Sequence, residues 1–234
     1  MASSRATRSG RAAPLTDPDA TARQKQAAAN AAAGLASDGM RLGLGTGTTV
    51  AYLLPALAAR RLRGMRCVAS SPATERAAIS LGLEMRALDE LGELDLYIDG
   101  ADQIDPAGWL VKGGGSAHTR EKILASAARR FVVIASAEKA VAQLGPPIPL
   151  ELVRFGVCAT LRLLRDARLR DVPESPDGGA IADYLGPVGD PAQLAARLDA
   201  TPGVVEHGLF APELVSEILI ASDAGVERRP GGRP

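Results

Sequence analysis

Aromatic side chains are scarce in this chain of 234 residues: they make up 3%, with one Trp, three Tyr and three Phe. Lys and Arg balance Asp and Glu at 27 each, so the formal net charge is zero. A neutral chain with few aromatics and no basic stripe lacks the surface that nucleic acid or an anionic membrane attracts. No apolar run approaches the roughly 18 residues that span a bilayer. Arg5, Arg8 and Arg11 are followed by no apolar segment, so the N-terminus does not read as a secretory signal. There are two cysteines, Cys67 and Cys158, in no CxxC pair, which fits buried thiols in a reducing cytoplasm better than a disulfide. The two histidines, His118 and His207, form no metal-binding spacing, and His118 reads as a solvated loop residue.

Apolar residues are not scarce: at 46% they suffice for a core in one or two domains. Residues 22–37 are alanine-rich and helical by propensity. Thereafter short apolar runs at 40–44, 65–70, 94–98, 109–111 and 131–135 alternate with helical stretches near 48–60, 71–81 and 119–130. Ser71 followed by Pro72 is an N-cap with proline in the first turn. This alternation implies α/β architecture with a doubly wound, mainly parallel, Rossmann-like sheet. The pattern changes at Gly145-Pro146-Pro147-Ile148-Pro149, and residues 146–205 read as a second, smaller α+β domain. The catalytic domain is then 21–145 plus 206–225, with a strand at 217–221 returning to the first sheet. Residues 1–20 and 226–234 carry no apolar period and read as disordered tails.

Chemistry concentrates in residues 95–122, DLYIDGADQIDPAGWLVKGGGSAHTREK. Asp99 and Asp102 follow a strand, where such folds place ligands. Their spacing with Asp105 misses a calcium loop. Lys112 precedes Gly113, Gly114 and Gly115; glycine at this density marks close approach of backbone to a ligand, with amides and an ammonium beside a developing oxyanion. Glu121 opens a helix close by and can serve as a general base. The turn GLGTGTTV at 43–50 joins a strand to a helix, so its amides and the hydroxyls of Thr46, Thr48 and Thr49 suit a phosphate. It is no dinucleotide fingerprint, because Val50 or Thr48 stands where the third glycine belongs, and no Gly-Lys pair makes it a Walker loop. An ordinary Gly/Thr turn, a solvated acid pair and a flexible glycine hairpin remain the plain alternatives for each motif taken singly. GGSAH at 114–118 lacks the closing glycine of a hydrolase elbow.

Together these segments resemble type A ribose-5-phosphate isomerases, whose motifs GxGTGST, DGADE, KGGGGALTREK and VVxxGLF are matched in order by Gly43–Thr49, Asp99–Gln103, Lys112–Lys122 and Val204–Phe210. The resemblance covers about residues 22–225. It implies a metal-independent, cofactor-free aldose–ketose isomerase that interconverts ribose 5-phosphate and ribulose 5-phosphate in the cytoplasm, as a homodimer or homotetramer, within the pentose phosphate pathway. By motif position Glu121 is the base, Lys112 and Gly113–Gly115 stabilise the enediolate oxygen, and Asp99 and Asp102 hold sugar hydroxyls, with Asp99 assisting ring opening. Gly100 lies between those acids. Thr46, Gly47, Thr48 and Thr49 take the phosphate, with Lys25 and Lys139 as helpers. The chain departs from the pattern at Gln103, Ser116, His118, Ser136 and the segment DGGA at 177–180. Two other functions lie close: a non-catalytic sugar-phosphate sensor, against which stand the retained Glu121 and Lys112 and an N-terminal stretch too irregular for a helix-turn-helix, and a related enzyme such as an amino-sugar phosphate deaminase or a coenzyme A transferase.

Overall fold

The computed structural model describes residues 18–233. The elements run α1 (Pro18–Ala33), β1 (Arg41–Leu44), α2 (Thr48–Ala59), β2 (Arg66–Ala69), α3 (Pro72–Ser80), α4 (Leu88–Leu91), β3 (Leu96–Gly100), β4 (Gln103–Ile104), β5 (Leu110–Val111), α5 (His118–Ala127) and β6 (Phe131–Ser136). They continue with β7 (Ile148–Leu152), α6 (Val157–Leu164), β8 (Ala167–Leu169), β9 (Ala180–Tyr184), α7 (Pro191–Asp199), β10 (Val204–His207), β11 (Leu209–Phe210), β12 (Glu217–Ser222) and β13 (Gly225–Pro230).

Six strands form the main sheet in the order β13-β12-β6-β3-β1-β2, parallel throughout except for the β12–β13 hairpin. Its inner strands are apolar on both faces because helices cover both. Leu42, Leu44, Leu96, Ile98, Val132, Ile134 and Leu219 meet α1 and α2 on one side. Tyr97, Phe131, Val133, Ile218 and Ile220 meet Leu124 and Ala125 of α5 on the other. The alanine helix buries Ala28, Ala29, Ala32 and Ala33, whose small side chains let its backbone lie close to the sheet. Strand order reverses beside β1, with β2 on one side and β3 on the other, so a crevice opens at the carboxyl ends of β1 and β3. A second, antiparallel sheet has the order β10-β7-β9-β8 and its own core of Ile148, Leu150, Leu152, Ala182, Leu194 and Leu198. A small third sheet, β11-β5-β4, lies between them.

The structure corrects several sequence-based expectations. Residues 226–234 do not form a disordered tail: Gly225–Pro230 is the edge strand β13, paired with β12 along its whole length. Its sequence, GVERRP, shows no apolar period because an edge strand facing water needs none, and its charges and terminal proline discourage further pairing. Beyond it, Gly231 packs so tightly that a Cβ would lie 1.9 Å from Val215 O, and Arg233 reaches the carbonyl of Ala128 at 2.5 Å. Of the N-terminal stretch 1–20, residues 1–17 lie outside the described part, and 18–20 belong to α1. The second sheet takes in β10 to His207, past the expected boundary at 205. Cys158 is exposed rather than buried; Cys67 is buried, which pushes its thiol up to about 12.

Deleting residues 224–234 is expected to cost about 2–4 kcal/mol, because six antiparallel pairs vanish and β12 becomes a bare edge. The melting temperature should fall by roughly 5–15 °C. An unchanged melting curve would mean that the segment is a tail after all.

Candidate active site

Parallel register places Leu44 beside Ile98, so the chain leaves β1 at Gly45 directly beside Asp99 at the end of β3. Only glycine fits there: a Cβ on Gly45 would lie 1.9 Å from the Asp99 carboxylate. Asp99 is fully buried and accepts from the amides of Thr46 (3.0 Å) and Gly100 (2.7 Å), from the Tyr97 hydroxyl and from Lys112 Nζ at 2.7 Å. These donors meet the demand that a buried carboxylate be paired.

Lys112 follows β5, and its amide donates to Gly208 O at 2.8 Å, which aims its side chain into the crevice. The buried ammonium also donates to Gly100 O at 2.6 Å, lies 3.1 Å from Glu121 Oε2 and stands 5.4 Å from the centre of the Phe210 ring. Burial disfavours its charge, yet Asp99 and Glu121 outweigh burial and hold its pKa above the ordinary lysine value. Glu121, in the first turn of α5, is 2% exposed. Burial first, then the negative charge of Asp99, push its carboxyl up to about 8 against the opposing pull of Lys112. Its Oε2 makes no hydrogen bond of acceptable geometry despite the nearby ammonium, and so keeps a lone pair free for a proton.

The glycine run closes the crevice from above. Gly113 has φ +105°, and a Cβ there would lie 2.7 Å from Pro149 Cβ and 2.8 Å from His118 Nδ1. The Gly114 amide donates to Asp102 Oδ2 at 2.9 Å, and a Cβ on Gly115 would meet Thr46 at 2.9 Å. Opposite stands the start of α2, where Gly47 (φ +118°) leaves the helix without a side-chain cap and its first amides free for an anion. Thr46 Oγ1 is 2.7 Å from Ser70 Oγ, and Lys25 Nζ donates to Thr48 Oγ1 at 2.9 Å.

Of the residues expected at the site, Thr46, Gly47, Thr48, Thr49, Gly100, Asp102, Lys112, Gly113, Gly114, Gly115, Glu121 and Lys139 line one cavity of about 290 Å³. Asp99 lies beneath its floor, bonded to Lys112. Lys25 lines an adjoining hollow of about 440 Å³ and reaches the site through Thr48, which borders both. A larger cavity of about 910 Å³ lies on the other side of α5, between Thr119, Arg120, Ile123 and Glu151, and holds none of these residues. His118 is not a solvated loop residue: it opens α5, is fully buried, and burial followed by the charge of Lys122 pushes its pKa down to about 3. Sequence reasoning missed Tyr97 and Ser70, which hold Asp99 and Thr46; the alternation of LDLYID had hinted only that Tyr97 shares the Asp99 face of its strand.

Residues 66–225 match the family model for ribose 5-phosphate isomerase A (phosphoriboisomerase A). The chain belongs to this family. It is 44% identical over 220 residues to ribose-5-phosphate isomerase A of Caulobacter vibrioides, covering 88% of this chain and 96% of that one. Its structure is similar to the crystal structure of ribose 5-phosphate isomerase A from Neisseria gonorrhoeae (TM-score 0.86, 29% identity, 90% of this chain and 97% of that one). It is also similar to a D-ribose-5-phosphate isomerase solved in complex with phospho-erythronic acid (TM-score 0.84, 30% identity, 89% and 98%). Those neighbours carry the same mixed architecture of a mainly parallel central sheet with a smaller antiparallel unit.

Against the family pattern, Gln103 has a structural explanation. Its side-chain amide donates to Gly145 O at 2.9 Å and accepts from Gly145 N at 2.8 Å. A glutamate would offer no donor for that carbonyl. Ser116 occupies φ +60°, which a short polar side chain tolerates. Asp177 pairs with Arg120 at 2.7 Å, and a Cβ on Gly179 would collide with Glu151. Ser136 is buried with its hydroxyl unpartnered among the described residues, and nothing in the structure explains it.

Lys112→Met leaves two carboxylates buried without their cation. It is expected to cost about 3–5 kcal/mol at pH 8.5. At pH 5 the loss should be smaller, because Glu121, whose folded pKa lies above the ordinary carboxyl value, is then protonated and carries no charge. Urea unfolding of both proteins at the two pH values measures this; equal losses would mean that Glu121 contributes no charge to the folded state.

Proposed function

We propose that this protein interconverts D-ribose 5-phosphate and D-ribulose 5-phosphate through a 1,2-enediolate, without a metal. The observation that carries the reading is the buried pair of Glu121 and Lys112, 3.1 Å apart in one cavity with the glycine loop. In the open-chain aldose, Glu121 takes the proton from C2. The electron pair forms the C1–C2 double bond and negative charge gathers on O1. Lys112, itself buried, and the glycine-loop amides stabilise that oxygen. Glu121 then returns its proton to C1, and the proton of the C2 hydroxyl passes to O1, which leaves a ketone at C2. Asp99 assists ring opening, and Asp102 holds a sugar hydroxyl. Thr46, Gly47, Thr48 and Thr49 receive the phosphate at the start of α2, with Lys25 and Lys139 adding positive charge.

The raised pKa of Glu121 suits the task, since a base that has lost hydration and lies near the working pH removes a carbon-bound proton more readily. The reaction places the chain in the non-oxidative pentose phosphate pathway, and the free thiols of Cys67 and Cys158 suit a reducing cytoplasm. A homodimer or homotetramer is supported by an apolar patch around the 910 Å³ cavity, where Phe155 is 93% exposed beside Val153 and Val205.

Conversion of ribose 5-phosphate should proceed at full rate in excess chelator. Glu121→Gln is expected to lower kcat by about 10²–10⁴ while the sugar phosphate still binds. Because the base must be ionised, kcat/KM should fall as pH drops, with its acid limb well above the ordinary carboxylate range. Turnover that persists in the variant, or an acid limb near that ordinary range, would remove Glu121 from this role.

A further inference from the structure

One side chain of the second sheet reaches the glycine loop from behind. Arg170 follows β8, and its amide donates to Ile181 O at 2.9 Å. Its guanidinium grips Asp183 of β9 as a fork, with Nε on Oδ2 at 3.0 Å and Nη2 on Oδ1. The remaining nitrogen, Nη1, donates to Gly113 O at 3.1 Å and to Gly114 O at 3.4 Å. Arg170 is absent from the cavity that holds Glu121, so it touches no reacting atom.

Those two carbonyls decide where two amides point. In a planar trans peptide the C=O and the N–H face opposite ways. With the Gly113 carbonyl turned towards Arg170, the Gly114 N–H faces the other side, where it meets Asp102 at 2.9 Å. With the Gly114 carbonyl turned the same way, the Gly115 N–H also faces the cavity. Three successive glycines impose little torsional preference of their own; within the loop the Ser116 amide donates to Gly113 O at 3.0 Å, and no such bond holds the Gly114 carbonyl, so its direction comes from outside the loop. Asp102 holds the Gly114 amide from the front and Arg170 the two carbonyls from behind.

We propose that Arg170, held by Asp183, is a positioning residue that turns the Gly114 amide onto Asp102 and aims the Gly115 amide at the developing oxyanion, which makes the second sheet part of the catalytic apparatus. The identity of that anion rests on the isomerase reading; the aiming of the loop does not. Lysine cannot substitute, because a point charge cannot hold Asp183 as a fork and span two carbonyls at once.

Hydrogen exchange read by mass spectrometry, together with kinetics, tests this on the full chain. In Arg170→Met, peptides covering 112–118 should exchange about fivefold faster, the factor expected from one lost hydrogen bond, while those covering 46–51 stay unchanged. The kcat should fall about 10- to 100-fold, less than the loss of a whole oxyanion donor. The Kd of phospho-erythronate, whose carboxylate stands in for the enediolate, should rise in parallel, while the Kd of inorganic phosphate holds. Arg170→Lys should show the same pattern, and it provides the comparison if the methionine variant fails to fold. Unchanged exchange over 112–118 overturns the proposal. So does a loss shared equally by phosphate affinity and melting temperature, which would mark a merely structural residue. If the wild-type chain fails to isomerise ribose 5-phosphate, the functional reading falls by itself, and exchange still decides the role of Arg170.

Discussion

The ammonium of Lys112 is the interaction on which the rest of this site depends. It lies between two buried carboxylates, 2.7 Å from Asp99 and 3.1 Å from Glu121. One cation cannot neutralise both. Hydrogen bonds divide the two: Asp99 collects four donors, whereas Glu121 Oε2 has only the Lys112 ammonium at 3.1 Å. The uncompensated charge is therefore relieved by a proton on Glu121, whose carboxyl burial and the negative charge of Asp99 push up to about 8. An uneven charge balance thus leaves a buried carboxyl that exchanges its proton far above the ordinary carboxylate range.

Topology supplies the place. The main sheet reverses its strand order beside β1, so the loops after β1 and β3 diverge and leave a crevice. Gly45 and Asp99 meet at its floor because parallel register brings the two strand ends level. The start of α2 lies at one side of the crevice and the start of α5 at the other, and each helix presents unspent amides or a first-turn acid to the gap. The threonine turn and the buried acid are therefore built on different helices held by one sheet.

The motifs were legible because each combines glycine with a charged side chain beside it in the chain: Gly100 between Asp99 and Asp102, Gly113–Gly115 after Lys112. The alternation of β1 to β6 with helices was legible for the same reason that it exists, since strands covered on both faces must be apolar on both. Other parts were hidden. The two-residue strands β4, β5 and β11 are too short to show a period, although an apolar run at 109–111 pointed to β5. The polar edge strand β13 has the composition of a tail. Burial of His118 depends on what packs against it, Gly113 of the glycine loop among others, and no local pattern in HTREK reports that. Arg170 was missed because its partners lie 56 and 57 residues away, in the loop it holds.

The VVEHGLF segment shows why the second sheet cannot be a mere appendage. Gly208 accepts the Lys112 amide at 2.8 Å and donates to Pro149 O at 2.7 Å, so an unbroken backbone bridge runs from Lys112 to β7. A Cβ on Gly208 would lie 2.1 Å from Lys112 O, which forbids any side chain at that point. Two residues on, Phe210 packs in the core of the main sheet and its ring faces Lys112. The chain therefore leaves the small sheet for β11, and for the core of the large sheet at Phe210, directly behind Lys112. The lysine owes its place to this crossing as much as to the carboxylates it pairs with. A site needing a cation, two acids and a row of free amides within one small cavity is assembled where two sheets share a backbone, because neither sheet alone presents donors from both sides.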